Sequence, residues 1–173
     1  GVPIHRRSSG GGTVLLGPGC LLFSLVLSVR RTPELGQVNA SYRWILDRLA
    51  RALEPLGEVR HEGICDLIFR GKKFSGNAQQ RKQRFILHHG TLLWNFPLEA
   101  ISRYLKQPDR QPDYRVNRPH AEFVANLPPD SETLKNWLRD EWSATAGESE
   151  LPLESVSELV AEKYSRGDWV NRR

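Results

Sequence analysis

The apolar positions of the chain recur in distinct rhythms. From Thr13 to Val29 they are nearly continuous and are interrupted at Gly17-Pro18-Gly19. That pattern predicts two buried strands, Val14–Leu16 and Cys20–Val29, hinged at a turn. From Gln37 to Leu53 the rhythm changes. Val38, Tyr42, Ile45, Leu46, Leu49 and Leu53 return at three- and four-residue spacing, which predicts an amphipathic helix ended by Pro55 and Gly57. Four short strands are predicted next, over Glu58–His61, Asp66–Phe69, Lys73–Gln79 and Arg84–Asn95, separated by glycine or polar residues. A helix begins near Pro97 and carries Leu98, Ile101 and Leu105. Gln107–Pro119, with three prolines, is a long loop of the kind that is functional or mobile. Two helices follow, Ser131–Glu141 with Ser131 as its N-cap and Leu153–Tyr164, joined by the acidic linker Gly147–Glu150. A helix, several adjacent strands and then more helices define an α+β fold, with helices packed on a mixed, largely antiparallel sheet.

The 173 residues, 39% hydrophobic and 26% charged, suit a single domain over residues 1–173. The tract from Thr13 to Val29 is broken and shorter than the roughly 20 residues a spanning helix needs. The opening residues, polar and basic, lack the apolar run of a secretory signal. Cys20 and Cys65 both stand beside apolar residues and are expected to be small buried hydrophobes in a reducing compartment. A cytoplasmic protein without a membrane partner is the expectation.

Charge narrows the class of partner. Residues 1–95 hold 14 Lys or Arg against 6 Asp or Glu, whereas residues 96–173 hold 11 against 14. A basic half draws an anion: a phosphate-bearing ligand, an acidic protein or nucleic acid. The absence of an arginine-rich tail or a recognised nucleic-acid motif argues against the last.

Three segments carry candidate chemistry. In His5–Gly19, "HRRSSGGGTVLLGPG", Arg6 and Arg7 precede three glycines. Guanidinium donors match phosphate or carboxylate oxygens, and glycines let a ligand approach the backbone. The same run also suits a flexible, solvated loop, and it is neither a Walker loop nor a dinucleotide fingerprint. In Gly71–Ala78, "GKKFSGNA", strand alternation places Lys73, Ser75 and Asn77 on one face. A lysine there can neutralise an oxyanion or phosphate as charge develops, although Lys72-Lys73 alone would suit a solvated hairpin tip. In "HHGT", His88 and His89 are adjacent on a strand and point to opposite faces, so they cannot both hold one metal ion.

Taken in order, "RRSSGGGTV", "KKFSGNAQ" and "HHGTLL" resemble the signature blocks of the lipoate-protein ligase catalytic domain, of the biotin/lipoate protein ligase superfamily. The likeness runs through "CDLIF" to about Leu127. It implies a biotin/lipoate ligase-like catalytic fold and a two-step reaction. Lipoate and ATP give lipoyl-AMP and pyrophosphate, and the acyl group then passes to a lysine of an acceptor domain. By position, the resemblance makes Lys73 the essential lysine, holding carboxylate and α-phosphate without acting as nucleophile. It places Arg7, Ser9, Gly10, Gly11, Gly12, Thr13, Val14 and Leu15 at the nucleotide, with Ser75, Gly76, Asn77 and Ala78 shaping the acyl-adenylate pocket. Asp66 is implied as an adenylate-side group and a ligand to Mg²⁺, which favours oxygen donors. His88, His89 and Gly90 are implied as structural support. The substrate is lipoate or octanoate, and the acceptor an acidic lipoyl domain or a glycine-cleavage H-type protein.

This sequence departs from the family pattern at two places. Leu16-Gly17 stands where a His-Asp pair is common, and Cys65 replaces the asparagine before Asp66. Family members also carry further residues ahead of the arginine pair, so the N-terminal part of the family domain is expected to be missing here or supplied by a companion chain. Two other readings stand beside this one. An octanoyl or lipoyl transferase would use a cysteine nucleophile downstream of the lysine, and no cysteine follows Cys65. A non-catalytic binding homologue would fit the departures but not the intact Lys73 block.

Overall fold

The computed structural model describes residues 1–147 and 150–172. It divides into two compact units, one of Gly11–Ala144 and one combining Gly1–Gly10 with Thr145–Arg173.

The larger unit is built on a five-stranded sheet of β1 (Cys20–Ser28), β2 (Val59–Glu62), β3 (Asp66–Phe69), β4 (Lys72–Arg81) and β5 (Phe85–Leu93), ordered β1-β5-β4-β3-β2. Every neighbouring pair is antiparallel. Helix α1 (Val38–Ala52) lays the expected stripe, Ile45, Leu46, Leu49 and then Leu53, against Leu67, Phe69, Phe74, Ile86 and Leu92. All of these residues are buried, and this contact is the main core. Helix α2 (Leu98–Tyr104) and the short α3 (His120–Phe123) follow the sheet, and α4 (Ser131–Trp142) adds Leu134 to the core.

Three expectations change. Val14–Leu16 is not a strand, and Val14 and Leu16 are each 51% exposed. The carbonyl of Gly19 accepts from the amides of Trp94 and Asn95, so the Gly-Pro-Gly turn docks on the end of β5 instead of returning a partner strand. Helix α4 is capped by Asp130, whose carboxylate accepts from the Thr133 amide at 2.9 Å. A carboxylate there also favours the helix dipole, and Ser131 becomes the first helical residue. Within Gln107–Pro119 a 3₁₀ turn forms over Asp113–Arg115, and Arg115 is buried against Phe123.

In the smaller unit, α5 (Leu153–Leu159) continues as a π-helical turn, Val160–Tyr164, followed by α6 (Gly167–Val170). The Trp169 indole donates to the Arg6 carbonyl at 2.9 Å and the Arg6 guanidinium donates to the Val170 carbonyl at 3.1 Å. Of the acidic linker Gly147–Glu150, Glu148 and Ser149 lie outside the described residues. Among the described residues, no helix is long and apolar enough to cross a membrane.

Candidate active site

The register between β3 and β4 sets the site. Asp66 pairs with Gly76 and Leu67 with Ser75, but Ile68 pairs with Lys73, which leaves Phe74 as one residue in excess. Such a bulge lets two consecutive side chains turn to one face. Phe74 and Ser75 are both buried, at 1% exposure, and Asn77 joins them on the face covered by α1. Strict alternation would have forced Phe74 out of the core. The bulge corrects the expected placement: Lys73 does not share a face with Ser75 and Asn77 but turns to the opposite one.

On that face Lys73 lies across Gly76, where a Cβ would come within 3.3 Å of both Cε and Nζ of the lysine. Lys73 Nζ reaches Asp66 Oδ1 at 2.7 Å, with the lysine side chain 29% exposed and the aspartate 8%. The hydroxyl of Tyr114 donates to Asp66 Oδ2, also at 2.7 Å. Burial, and then the neighbouring Asp66 carboxylate, push the Tyr114 hydroxyl far above its ordinary pKa, so it stays a donor. Cys65 Sγ lies 3.6 Å from Asp66 Oδ1. Burial raises the thiol's pKa, and the Asp66 charge adds to the effect. Ala78 and His89 pair across β4 and β5 on the same face as Lys73.

The opposite face carries a buried polar chain. Asn77 Nδ2 donates to the Cys65 carbonyl at 2.9 Å and to Ser75 Oγ at 3.1 Å, and the Asn77 backbone amide also donates to Cys65 at 3.0 Å. The Gln79 amide nitrogen lies 3.2 Å from His88 Nδ1, which makes that ring nitrogen the acceptor. Nε2 therefore carries the proton and donates to Asn77 Oδ1 at 3.3 Å. His88 is fully buried; desolvation, with the nearby His89 charge adding to it, lowers its pKa to about 3 and keeps the ring neutral. Arg81 closes the chain by donating to Gln79 Oε1 and Ser41 Oγ. Gly90 leaves room for this network, because a Cβ there would fall 2.0 Å from Asn77 Oδ1 and 2.8 Å from Phe23.

The glycine-rich segment straddles the two units. Arg7 and Ser9 are partly buried in the smaller one, and the Arg7 guanidinium donates to the Gly10 carbonyl at 2.6 and 3.1 Å. Gly11, at φ 95°, takes a left-handed turn that favours glycine. Gly12, Thr13 and Val14 are exposed and Leu15 is partly buried, all in the larger unit.

Asp66 is met by two donors of the chain. Its two carboxylate oxygens are engaged, one by an ammonium and the other by a hydroxyl. Among the described residues, no group of three or more His, Cys, Asp or Glu could hold a metal. Cys20 and Cys65 are free, partly exposed thiols. Sequence reasoning missed Tyr114, which stands 48 residues from Asp66 with no local signal to connect them. It also missed Gln79 and Arg81, which the period-two pattern from Ser75 through Asn77 could have found.

Comparison with known proteins places the chain in a family. Residues 1–140 match the Lipoyl protein ligase A/B catalytic domain. The chain belongs to that family. An octanoyltransferase, LipM, of Kyrpidia tusciae is 28% identical over 97% of this chain and 74% of its own length. The lipoate-protein ligase LplJ of Bacillus subtilis is 26% identical over 98% of this chain, which spans about half, 54%, of that relative. Among solved structures, the bi-partite lipoate protein ligase of Thermoplasma acidophilum, studied with its E2 lipoyl domain, superposes with a TM-score of 0.78 at 25% identity, over 96% of this chain and 69% of that one. An ATP-bound lipoate-protein ligase A gives a TM-score of 0.79 at 23% identity, over 96% of this chain and 70% of its own. The fold is therefore that of the lipoate ligases, as the resemblance implied, and the family includes both ligases and octanoyltransferases.

Proposed function

We propose that the chain activates lipoate with ATP and transfers the lipoyl group to a lysine of an acidic lipoyl domain, in the cytoplasm. The observation that carries this reading is the Lys73 ammonium, anchored by Asp66 beside a thiol that burial keeps protonated. An ammonium at such a place stabilises the charge that develops when a carboxylate attacks the α-phosphorus, expelling pyrophosphate. It acts again when the acceptor amine displaces AMP from the mixed anhydride. Lys73 is thus an electrostatic group and not the nucleophile. Arg7, Ser9 and the stretch Gly10–Leu15 bind nucleotide. Gly76 and Ala78 shape the acyl-adenylate site on the face of Lys73, while Ser75, Asn77, His88 and Gly90 support it from behind. Mg²⁺ enters with the triphosphate and not as an Asp66 ligand. Excess positive charge in residues 1–95 attracts the acidic acceptor, so recognition weakens as salt screens it.

The second reading, octanoyl transfer from a carrier protein, draws on the LipM relative. One assay separates the two. Purified protein is offered free lipoate with ATP, or octanoyl carrier protein without ATP, and lipoyl-domain acylation is followed by mass together with pyrophosphate release. The ligase reading expects ATP-dependent acylation that Cys65→Ser retains. Acylation from the carrier without ATP would replace it with the transferase reading.

A further inference from the structure

The geometry assigns Tyr114 as a positioning residue for Lys73 that acts through Asp66, an inference that rests on the electrostatic role given to Lys73 above. A carboxylate that meets one donor can rotate about its last side-chain bond. Asp66 meets two, Lys73 Nζ on one oxygen and the Tyr114 hydroxyl on the other, each at 2.7 Å, so its plane is held.

Tyr114 is itself held firmly. Its ring packs on Phe123 with centroids 5.3 Å apart, and the Arg115 and Arg118 guanidiniums lie 4.5 and 5.4 Å from the Phe123 ring. Arg118 donates to the Tyr114 carbonyl at 2.9 Å and to the Gly71 carbonyl at 3.0 Å. Gly71 lies in the turn that opens β4, two residues before Lys73. The segment carrying Tyr114 is therefore tied to the strand whose lysine it orients. On this reading Asp66 serves as the lysine's counter-ion and not as a ligand to a divalent cation.

The phenol has one function that its ring does not share, the hydrogen bond to Asp66. Tyr114→Phe keeps the ring on Phe123 and removes only that bond, and its thermal midpoint checks that the fold is retained. Without the bond, Asp66 rotates and Lys73 loses its fixed position. That loss acts where charge develops, so kcat for ATP- and lipoate-dependent pyrophosphate release should fall about tenfold, the effect of one hydrogen bond to a charged group, while KM for ATP stays within about twofold.

A double-mutant cycle tests the route. If Tyr114 works through Asp66, adding Tyr114→Phe to Asp66→Asn causes no further loss of kcat. A second full tenfold loss in the double variant, or an unchanged kcat in Tyr114→Phe, overturns the proposal. Asp66→Asn should also leave unchanged the Mg²⁺ concentration that gives half-maximal rate. A raised requirement would make Asp66 a metal ligand and overturn the pairing.

A measurement without turnover completes the test. In the folded full chain, an amine-acylating reagent should label Lys73 several-fold faster in Tyr114→Phe and in Asp66→Asn, with exposed Lys72 unchanged as an internal control. Equal acceleration at both lysines signals general loosening and refutes the specific role. This labelling stands apart from the ligase reading: full activity in Lys73→Ala would sink that reading while leaving the labelling pattern intact.

Discussion

Lys73 Nζ lies 2.7 Å from Asp66 Oδ1 because a bulge at Phe74 turns the lysine onto the face of the sheet where Asp66 and Gly76 are paired. Without the bulge the ammonium would enter the core beside Ser75. Position and charge together make this contact the centre of the proposed site.

Removal of the ammonium should be the most severe single change. Lys73→Ala is expected to lower kcat for lipoyl-adenylate formation by about 10²–10³-fold, the scale of losing one preorganised charge-stabilising group. Gly76→Ala should act by geometry alone. Its methyl would meet Lys73 Cε and Nζ at 3.3 Å and push the chain aside, giving a loss of about tenfold with little change in stability. Steady-state kinetics beside a thermal unfolding curve separate the two effects.

His88 makes a prediction about pH. Its pKa falls from an ordinary 6.5 to about 3 on folding, so between those values the unfolded chain binds a proton that the folded chain excludes. Stability contributed by the neutral ring is therefore complete above pH 6.5 and is lost as pH falls toward 3. The loss between pH 7 and pH 4 should be on the order of 3 kcal/mol. Urea unfolding at stepped pH should show this slope, and His88→Gln should flatten it. An unchanged slope in that variant would assign the acid sensitivity to another group.

Arg48 offers a test of how α1 and α4 are joined. Its guanidinium lies 5.3 Å from the Trp44 ring and 4.6 Å from the Trp142 ring, pairs with Glu141 Oε1 at 3.1 Å and donates to the Glu141 carbonyl at 2.8 Å. Arg48→Ala should destabilise the protein by about 2 kcal/mol, read as a shift in urea midpoint at constant slope. Arg48→Lys keeps the charge but lacks the planar guanidinium that reaches both indoles and Glu141 at once, so it should recover less than half of that loss.

How far the sequence could be read varied with the range of the interactions involved. Strand β3 coincides with the predicted Asp66–Phe69, because a dense apolar run between turn residues has few other solutions. Helix α1 differs from its prediction by one residue at each end, since its apolar spacing matches the helical period over four turns. The Lys73 block was visible as a motif. His88 and His89 also point to opposite faces as alternation requires, the first buried and the second partly exposed.

The face on which Lys73 works was not visible. Alternation is a local rule, and the bulge that breaks it answers the demand of the core for both Phe74 and Ser75. Tyr114 was equally hidden, as a polar aromatic within a proline-rich stretch that nothing nearby connects to Asp66. Nor does an aspartate in a sequence reveal that its two oxygens meet a lysine on one side and a distant tyrosine on the other.

The sequence by itself determined the order of elements, the amphipathic helix, the antiparallel α+β class and the blocks that mark the family, because these follow from apolar periodicity and residue spacing along the chain. Only the tertiary structure decided which side of β4 the lysine occupies, which carboxylate pairs with it and which distant tyrosine holds that carboxylate. Those outcomes depend on residues far apart in sequence competing for the same buried space and the same hydrogen bonds, and that competition takes place only in the folded chain.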